Sequence, residues 1–169
     1  MNSTTFDFGQ GPVPAHKHDN GGGWVADTAN VAPTSFIGPN AMVYDKAMVY
    51  DKAVVCGKAR VYGKARVCDK AVVCGKALIC DEAVVRDKAV VYDEALVYDK
   101  AVVCGKARVY GEAVVYGEAR VYGEAWICDN ARVCDKARVY GEAVVCDKAR
   151  VCDKAVVCDE ARVYGDAVV

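Results

Sequence analysis

Histidine is nearly absent from this 169-residue chain, since the only two, His16 and His18, lie close to its beginning. The remaining sequence therefore lacks the side chain that most often serves as a general base in enzymes. It also offers no Ser-His-Asp set and no phosphate-binding glycine loop. These absences argue against catalysis, and we predict no cofactor.

Neither sign of charge is in excess, because 22 Lys and Arg stand against 23 Asp and Glu, for a net charge of −1. The chain thus has no electrostatic basis for binding nucleic acid or an anionic membrane. No apolar run reaches the length of a membrane span, and residues 1–10 lack the basic and apolar regions of a secretory signal. We expect a cytoplasmic protein, although an extracellular filament stays open.

What the sequence has in abundance is repetition. Every sixth residue from Val25 to Val169 is Val or Ile, and from Ala41 to Ala167 an Ala stands two residues before each of them. The unit reads Ala-x-Val-(Tyr/Cys)-(Asp/Gly)-(Lys/Glu). A six-residue step turns an α-helix by about 240°, so the Val column could not build one buried helical face. Alternating Ala and Val predict a short strand, and Asp or Gly predicts a tight bend where positive φ costs little.

The segment from Ile37 to Met42, Ile-Gly-Pro-Asn-Ala-Met, resembles the hexapeptide-repeat, left-handed parallel β-helix superfamily. The later Val-Tyr-Gly-Lys-Ala-Arg units are similar to a branch grouped loosely with its acyltransferases. The resemblance implies an all-β fold in which three units form one triangular coil, giving about eight coils stacked roughly 4.8 Å apart. We expect this solenoid over residues 23–169 and an irregular N-terminal cap over residues 1–22, with Phe6, Phe8 and Trp24 as apolar plugs.

In that geometry the residue after each inward Val points outward. From Tyr44 to Tyr164 this position holds every Tyr and every Cys of the chain, ten of each, apart from Arg86. Chance drift between related codons and selection for the alternation both stay open as explanations. Some cysteines are expected to stack on neighbouring coils, as free thiols, because in-register side chains are poorly aimed for a disulfide. These pairs are Cys56 and Cys74, Cys128 and Cys146, and Cys134 and Cys152.

The residue before each inward Val also points outward, and units three apart share a face. One face combines aliphatic, aromatic and thiol side chains into a strip that is large for a monomer, so we predict lateral association through it. At one of its corners, Lys52, Lys70, Lys88 and Lys106 are followed by Glu124, Glu142 and Glu160, an arrangement that suits solvated corners but could also set the polarity of a partner. The predicted interaction surface comprises Val54, Val72, Val90, Tyr92, Arg108, Tyr110, Trp126 and Val144.

The two ends of the array suggest further roles. The last residues, Val168 and Val169, form part of a strand without a polar cap, and unpaired strand groups invite pairing with another chain. We predict end-to-end association through these residues and Trp24. His16 and His18 are weak metal candidates that would need further donors such as Asp7 or Asp19, so a hydrogen-bonding role in the cap is favoured.

The sequence therefore predicts a non-catalytic β-solenoid that associates with itself as a structural or interaction scaffold, with stacking into rods or filaments. Two alternatives stay open. One is an acyltransferase-like enzyme with a site between protomers, reached by His16 or His18 of a neighbour. The other is a module that binds a small molecule in grooves between protomers through Tyr and Arg.

Overall fold

The computed structural model describes residues 4–169, and these residues form short strands and turns without any helix. Among them there is accordingly no helix able to cross a membrane. In chain order the strands are β1 (Thr5–Asp7), β2 (Pro12–Lys17), β3 (Trp24–Ala26), β4 (Asn30–Val31), β5 (Phe36–Ile37), β6 (Met42–Val43), β7 (Met48–Val49), β8 (Val54–Val55), β9 (Arg60–Val61), β10 (Arg66–Val67), β11 (Val72–Val73), β12 (Leu78–Ile79), β13 (Val84–Val85), β14 (Val90–Val91), β15 (Leu96–Val97), β16 (Val102–Val103), β17 (Arg108–Val109), β18 (Val114–Val115), β19 (Arg120–Val121), β20 (Trp126–Ile127), β21 (Arg132–Val133), β22 (Arg138–Val139), β23 (Val144–Val145), β24 (Arg150–Val151), β25 (Val156–Val157) and β26 (Arg162–Val163).

The strands build three sheets. Sheet I has the order β1-β2-β3-β6-β9-β12-β15-β18-β21-β24, sheet II contains every third strand from β4 to β25, and sheet III every third strand from β5 to β26. From β3 onward each strand pairs in parallel with the strand 18 residues further along, as Trp24 pairs with Met42. One coil is therefore three strands and 18 residues. Sheets II and III each contain eight strands, which confirms the predicted solenoid of about eight coils.

The inward column fills the interior. Every Ala of the repeat from Ala41 to Ala149, and every Val or Ile from Val43 to Val151, has a relative exposure of 0%. These side chains form one continuous hydrophobic cluster along the coils. Because the coil is narrow, small and β-branched residues occupy it, and the Tyr and Cys side chains lie outside.

The corners also follow the sequence. Asp or Gly at the fifth position of the unit has a positive φ, for example 60° at Asp45 and 65° at Gly57. This is the left-handed region that Gly and, less readily, Asp adopt. The predicted tight bend at this position is confirmed.

The N-terminal lead caps sheet I and is more regular than the sequence indicated. β1 pairs antiparallel with β2, and β2 pairs antiparallel with β3, so the lead adds two strands to the first coil. Its aromatic rings do not plug the open end of the coil. Phe6 stacks on Trp24 with ring centroids 4.4 Å apart, and Phe8 stacks on Tyr44 at 4.9 Å. These contacts hold the lead against the outer side of sheet I.

Candidate interaction surface

The residues predicted to mediate association all lie on the outer face of sheet III. Their positions follow from the alternation of side chains, because each flanks an inward, buried Val or Ile. The four valines of this group are half-buried by their neighbours, whereas Trp126 exposes 41% of its surface. We call this surface the sheet III face. In coil order, the residues before the inward position are Phe36, Val54, Val72, Val90, Arg108, Trp126, Val144 and Arg162, and those after it are Gly38, Cys56, Cys74, Tyr92, Tyr110, Cys128, Cys146 and Tyr164.

Aromatic rings occupy the middle of the sheet III face. Tyr92 and Tyr110 stack on neighbouring coils with centroids 4.9 Å apart and ring planes 9° apart. The Arg108 guanidinium lies 5.2 Å from the Trp126 ring centroid, and Tyr110 meets Trp126 edge-on at 6.5 Å. Stacked and cation–π contacts order these side chains within the single chain. The centre of the face therefore combines stacked aromatic rings with one exposed charged side chain, Arg108.

Two of the four thiols of the sheet III face are recessed, and the other two, Cys56 and Cys74, are half-buried. Cys128 and Cys146 expose only 5% and 9% of their surfaces, and both are free. Burial raises the pKa of Cys128 to about 12, and that of Cys74 to about 11. Such thiols stay protonated at neutral pH and are weak nucleophiles. Cys128, Cys146 and the neighbouring Asp129 bring three metal-ligand atoms within 4.8 Å of one another.

Charged corners border the sheet III face on both sides. Backbone hydrogen bonds between successive coils keep each corner in register. On the corner between sheets II and III, which we call the Lys–Glu corner, the predicted column of lysines gives way to glutamates, and Lys106 bridges to Glu124 at 2.7 Å where the sign changes. The corner between sheets III and I, the mixed corner, has its own pair of Lys76 and Glu94 at 2.6 Å. In coil order the mixed corner reads Lys58, Lys76, Glu94, Glu112, Asn130, Lys148 and Asp166.

The corner aspartates have a second role that the sequence did not reveal. The backbone amide of Gly63 donates to Oδ2 of Asp45 at 3.1 Å, and that of Gly165 donates to Oδ2 of Asp147 at 3.0 Å. Each carboxylate thus ties its corner to the same corner of the next coil. The sequence shows Asp recurring at this position. Its role as a hydrogen-bond acceptor becomes visible only when the spacing of neighbouring coils is known.

The two histidines lie in the cap and have separate partners. His16 Nδ1 is 2.8 Å from Oδ1 of Asp27, and the buried His18 has Nε2 3.1 Å from the carbonyl oxygen of Ser35. Each histidine therefore has its own hydrogen-bond partner, and metal binding by the two stays an untested prediction. Both serve the hydrogen-bonding role in the cap that was the favoured interpretation.

The residues predicted to act at the ends of the rod are exposed to different degrees. Val168 and Val169 expose 66% and 49% of their surfaces. Trp24 is half-buried, because the ring of Phe6 covers one side of it. Part of the surface that Trp24 would offer to another copy is thus occupied by the chain itself.

The outer face of sheet II differs in character, because arginines cluster on it. Arg120 and Arg138 are partners on neighbouring coils, and with Arg86 they border a depression of about 480 Å³. Within residues 4–169, the salt bridges include no carboxylate partner for Arg120 or Arg138. Adjacent guanidinium groups of this kind suit an anionic ligand.

Comparisons of the chain with protein-family models, with curated proteins and with solved structures give no match in any of the three.

Proposed function

We propose that this β-solenoid is a structural scaffold that associates with a second copy of itself through the sheet III face. One observation carries the proposal. The outward side chains of this face form a column of Val, Cys, Tyr and Trp that is interrupted by Arg108 and Arg162, with stacked aromatic rings at its centre.

The arrangement has the composition of a protein interface. A centre rich in aromatic and aliphatic residues, together with Arg108, is surrounded by a charged rim that the two corners supply, and aromatic residues and Arg are the types enriched at interfaces. Large exposed apolar patches are unusual on a monomer and often mark interaction sites. Association would remove the half-buried valines and Trp126 from water.

The test compares one substitution on this face with a matched substitution elsewhere. Val90 lies on the sheet III face and Val84 on sheet II; both are half-buried, both follow an Ala and both precede an inward Val. We expect Val90→Lys to be monomeric at concentrations where the wild-type chain is a dimer, and Val84→Lys to remain a dimer. Light scattering coupled to gel filtration reports both masses. Equal effects of the two substitutions would contradict the choice of face.

Two finer assignments extend this proposal. The six-residue unit and the 18-residue coil support membership of the hexapeptide-repeat superfamily. End-to-end association through Val168, Val169 and Trp24 stays a prediction, and electron microscopy of the purified protein tests it. The acyltransferase alternative also stays a prediction, and acetyl-coenzyme A titration by calorimetry tests it.

A second candidate function rests on the arginine depression of sheet II. We propose that Arg86, Arg120 and Arg138 bind a small multivalent anion. Calorimetry with inorganic pyrophosphate is the test, with Arg138→Gln expected to weaken binding and Arg60→Gln on sheet I as the matched control. Equal binding by both variants would remove this candidate.

A further inference from the structure

We propose that two copies pair antiparallel through the sheet III face, about a two-fold axis that runs along the strands between the coils of Arg108 and Trp126. This inference rests on the proposed function and specifies its orientation and register. Two independent arguments support this orientation and register. One is the order of charges at the corners, and the other is the size of the side chains that face each other.

Orientation follows from the Lys–Glu corner. A two-fold axis along the strands places each corner opposite the same corner of the partner, with the order of coils reversed. The lysine block of one copy then faces the glutamate block of the other. The pairs are Lys106 with the partner's Glu124, Lys88 with the partner's Glu142, and Lys70 with the partner's Glu160.

The mixed corner also brings opposite charges together in the antiparallel arrangement. The same operation places Glu94 opposite the partner's Lys148 and Lys76 opposite the partner's Asp166. At the remaining level Glu112 faces the neutral Asn130 of the partner subunit. Among the sixth-position residues of the unit, both corners are thus free of like-charge pairs. The fifth-position aspartates do not separate the registers, because Asp69 faces the partner's Asp159 and Asp93 the partner's Asp147 here, and the shifted registers also bring aspartates together.

Neighbouring registers lack this property. A shift of one coil in one direction places Lys106 opposite the partner's Lys106 and Glu112 opposite the partner's Glu112. A shift in the other direction places Glu124 opposite the partner's Glu124 and Glu94 opposite the partner's Asp166. Like charges facing each other across a rim disfavour these registers.

A parallel dimer has poorer charge complementarity, because its three attractive corner pairs, Lys88 with the partner's Glu94, Lys106 with the partner's Glu112 and Glu142 with the partner's Lys148, are offset by three like-charge pairs. Its two-fold axis would follow the solenoid, so the Lys–Glu corner would face the mixed corner at the same level. Lys52 would then face the partner's Lys58, and Lys70 would face the partner's Lys76. At the other end of the face, Glu160 would face the partner's Asp166.

Side-chain size supports the antiparallel register independently. It places Tyr110 opposite the partner's Cys128 and Tyr92 opposite the partner's Cys146, so that each phenol ring meets a recessed thiol. The same operation pairs Tyr164 with Cys74 of the partner subunit. A large side chain facing a small one at every such level allows the two faces to interdigitate.

The residues before the inward position are compatible with this pairing. Val90 faces Val144 of the partner subunit, and Arg108 faces the Trp126 ring of the partner subunit, which repeats between chains the cation–π contact made within each chain. Val72 lies opposite the exposed Arg162 of the partner subunit, the one mixed pair on the face.

Charge reversal tests the orientation. In Lys70→Glu/Lys88→Glu the Lys–Glu corner becomes largely acidic, and in Glu142→Lys/Glu160→Lys it becomes largely basic. We expect each variant alone to dimerise at least tenfold more weakly than the wild-type chain. An equimolar mixture should restore the dimer as a heterodimer, because every altered residue again faces the opposite charge. A tagged copy of one variant identifies the heterodimer by co-purification.

The outcomes separate this inference from the proposed function. If Val90→Lys abolishes the dimer but either charge variant alone dimerises normally, or the mixture fails to restore it, the face is correct and the antiparallel pairing is wrong. If the wild-type chain itself is monomeric, the proposed function fails as well.

Zero-length carbodiimide cross-linking gives the register directly. Lys70 and Glu160 are 90 residues apart, which is five coils of 18 residues or roughly 24 Å along one chain, too far for an amide bond within that chain. We expect a Lys70–Glu160 cross-link in the dimer fraction and none in Val90→Lys. A dimer fraction that instead joins Lys88 to Glu94, residues at opposite corners of one coil that only a parallel pair brings together, would overturn the inference.

Discussion

The backbone amide of Asp87 donates a hydrogen bond to Oδ2 of Asp69, 3.2 Å away and one coil earlier in the chain. The amide of Asp69 in turn donates to Asp51 at 3.3 Å, and Asp87 accepts from Gly105 at 3.0 Å. The corner aspartates therefore form a ladder that links successive coils outside the sheets. Asp serves here both as a residue that tolerates positive φ and as an acceptor.

Because of this ladder, we expect substitutions of Asp69, whose φ is 61°, to differ in their effect on stability. Asp69→Ala should lower the free energy of unfolding by about 2 kcal/mol, because it loses an acceptor and places an alanine in the left-handed region. Asp69→Asn should be close to neutral, since Asn keeps the acceptor and tolerates the same φ. Urea unfolding measures the difference. Equal stability of the Ala and Asn variants would show that the ladder contributes nothing.

Replacing Ser35 with Ala is expected to stabilise the protein. It occupies the position that Ala holds in every unit from Ala41 onward, and it is fully buried. Its hydroxyl has no hydrogen-bond partner among residues 4–169. Ser35→Ala should raise the free energy of unfolding by about 1 kcal/mol, and Ala41→Ser should lower it by a similar amount. A less stable Ser35→Ala in the same urea titration would refute this account.

The buried thiols predict a loss of stability in alkali. Burial raises the pKa of Cys128 from 9.0 to about 12 and those of Cys74 and Cys80 to about 11. Above the pKa of the unfolded thiols, the unfolded chain releases protons that the folded chain still holds, so the free energy of unfolding falls as pH rises. The melting temperature should therefore be level near neutral pH and decline from about pH 9 towards pH 12. Cys128→Ala should decline less steeply, and an identical slope would count against buried thiols as the cause.

Association through the sheet III face is expected to protect Cys74 from alkylation and to leave Cys104 unprotected. Cys74 lies on the sheet III face and Cys104 on sheet II, and both are half-buried in the single chain. Iodoacetamide should alkylate Cys74 several-fold more slowly at concentrations that favour the dimer than in the Val90→Lys variant. Cys104 should react at the same rate in both. Mass spectrometry of peptides measures the rates, and protection of both thiols alike would point to a general change in the fold.

Much of the fold is predictable from the sequence because one physical constraint repeats. A narrow coil accepts only small or β-branched side chains, and the period of six places Ala41, Val43 and their equivalents in later units inward. The positive φ at Asp45 and Gly57 was likewise expected from their chemistry. These features depend on local geometry and on the repeat alone.

The cap and the ladder were not predictable in the same way. β1 and β2 have no periodicity, and they are held by Phe6 on Trp24 and Phe8 on Tyr44, which are contacts between distant parts of the chain. The Asp–amide ladder requires the spacing and register of neighbouring coils. The predicted interaction residues do share one face, but the proposed pairing of this face with a second copy depends on comparing the charge order of both corners.

Sedimentation equilibrium of the wild-type chain tests the central claim most directly. The account predicts a concentration-dependent species of twice the 18.1 kDa chain mass that weakens as salt is raised, because charged corners border the interface. A mass of 18.1 kDa at every accessible concentration would contradict it.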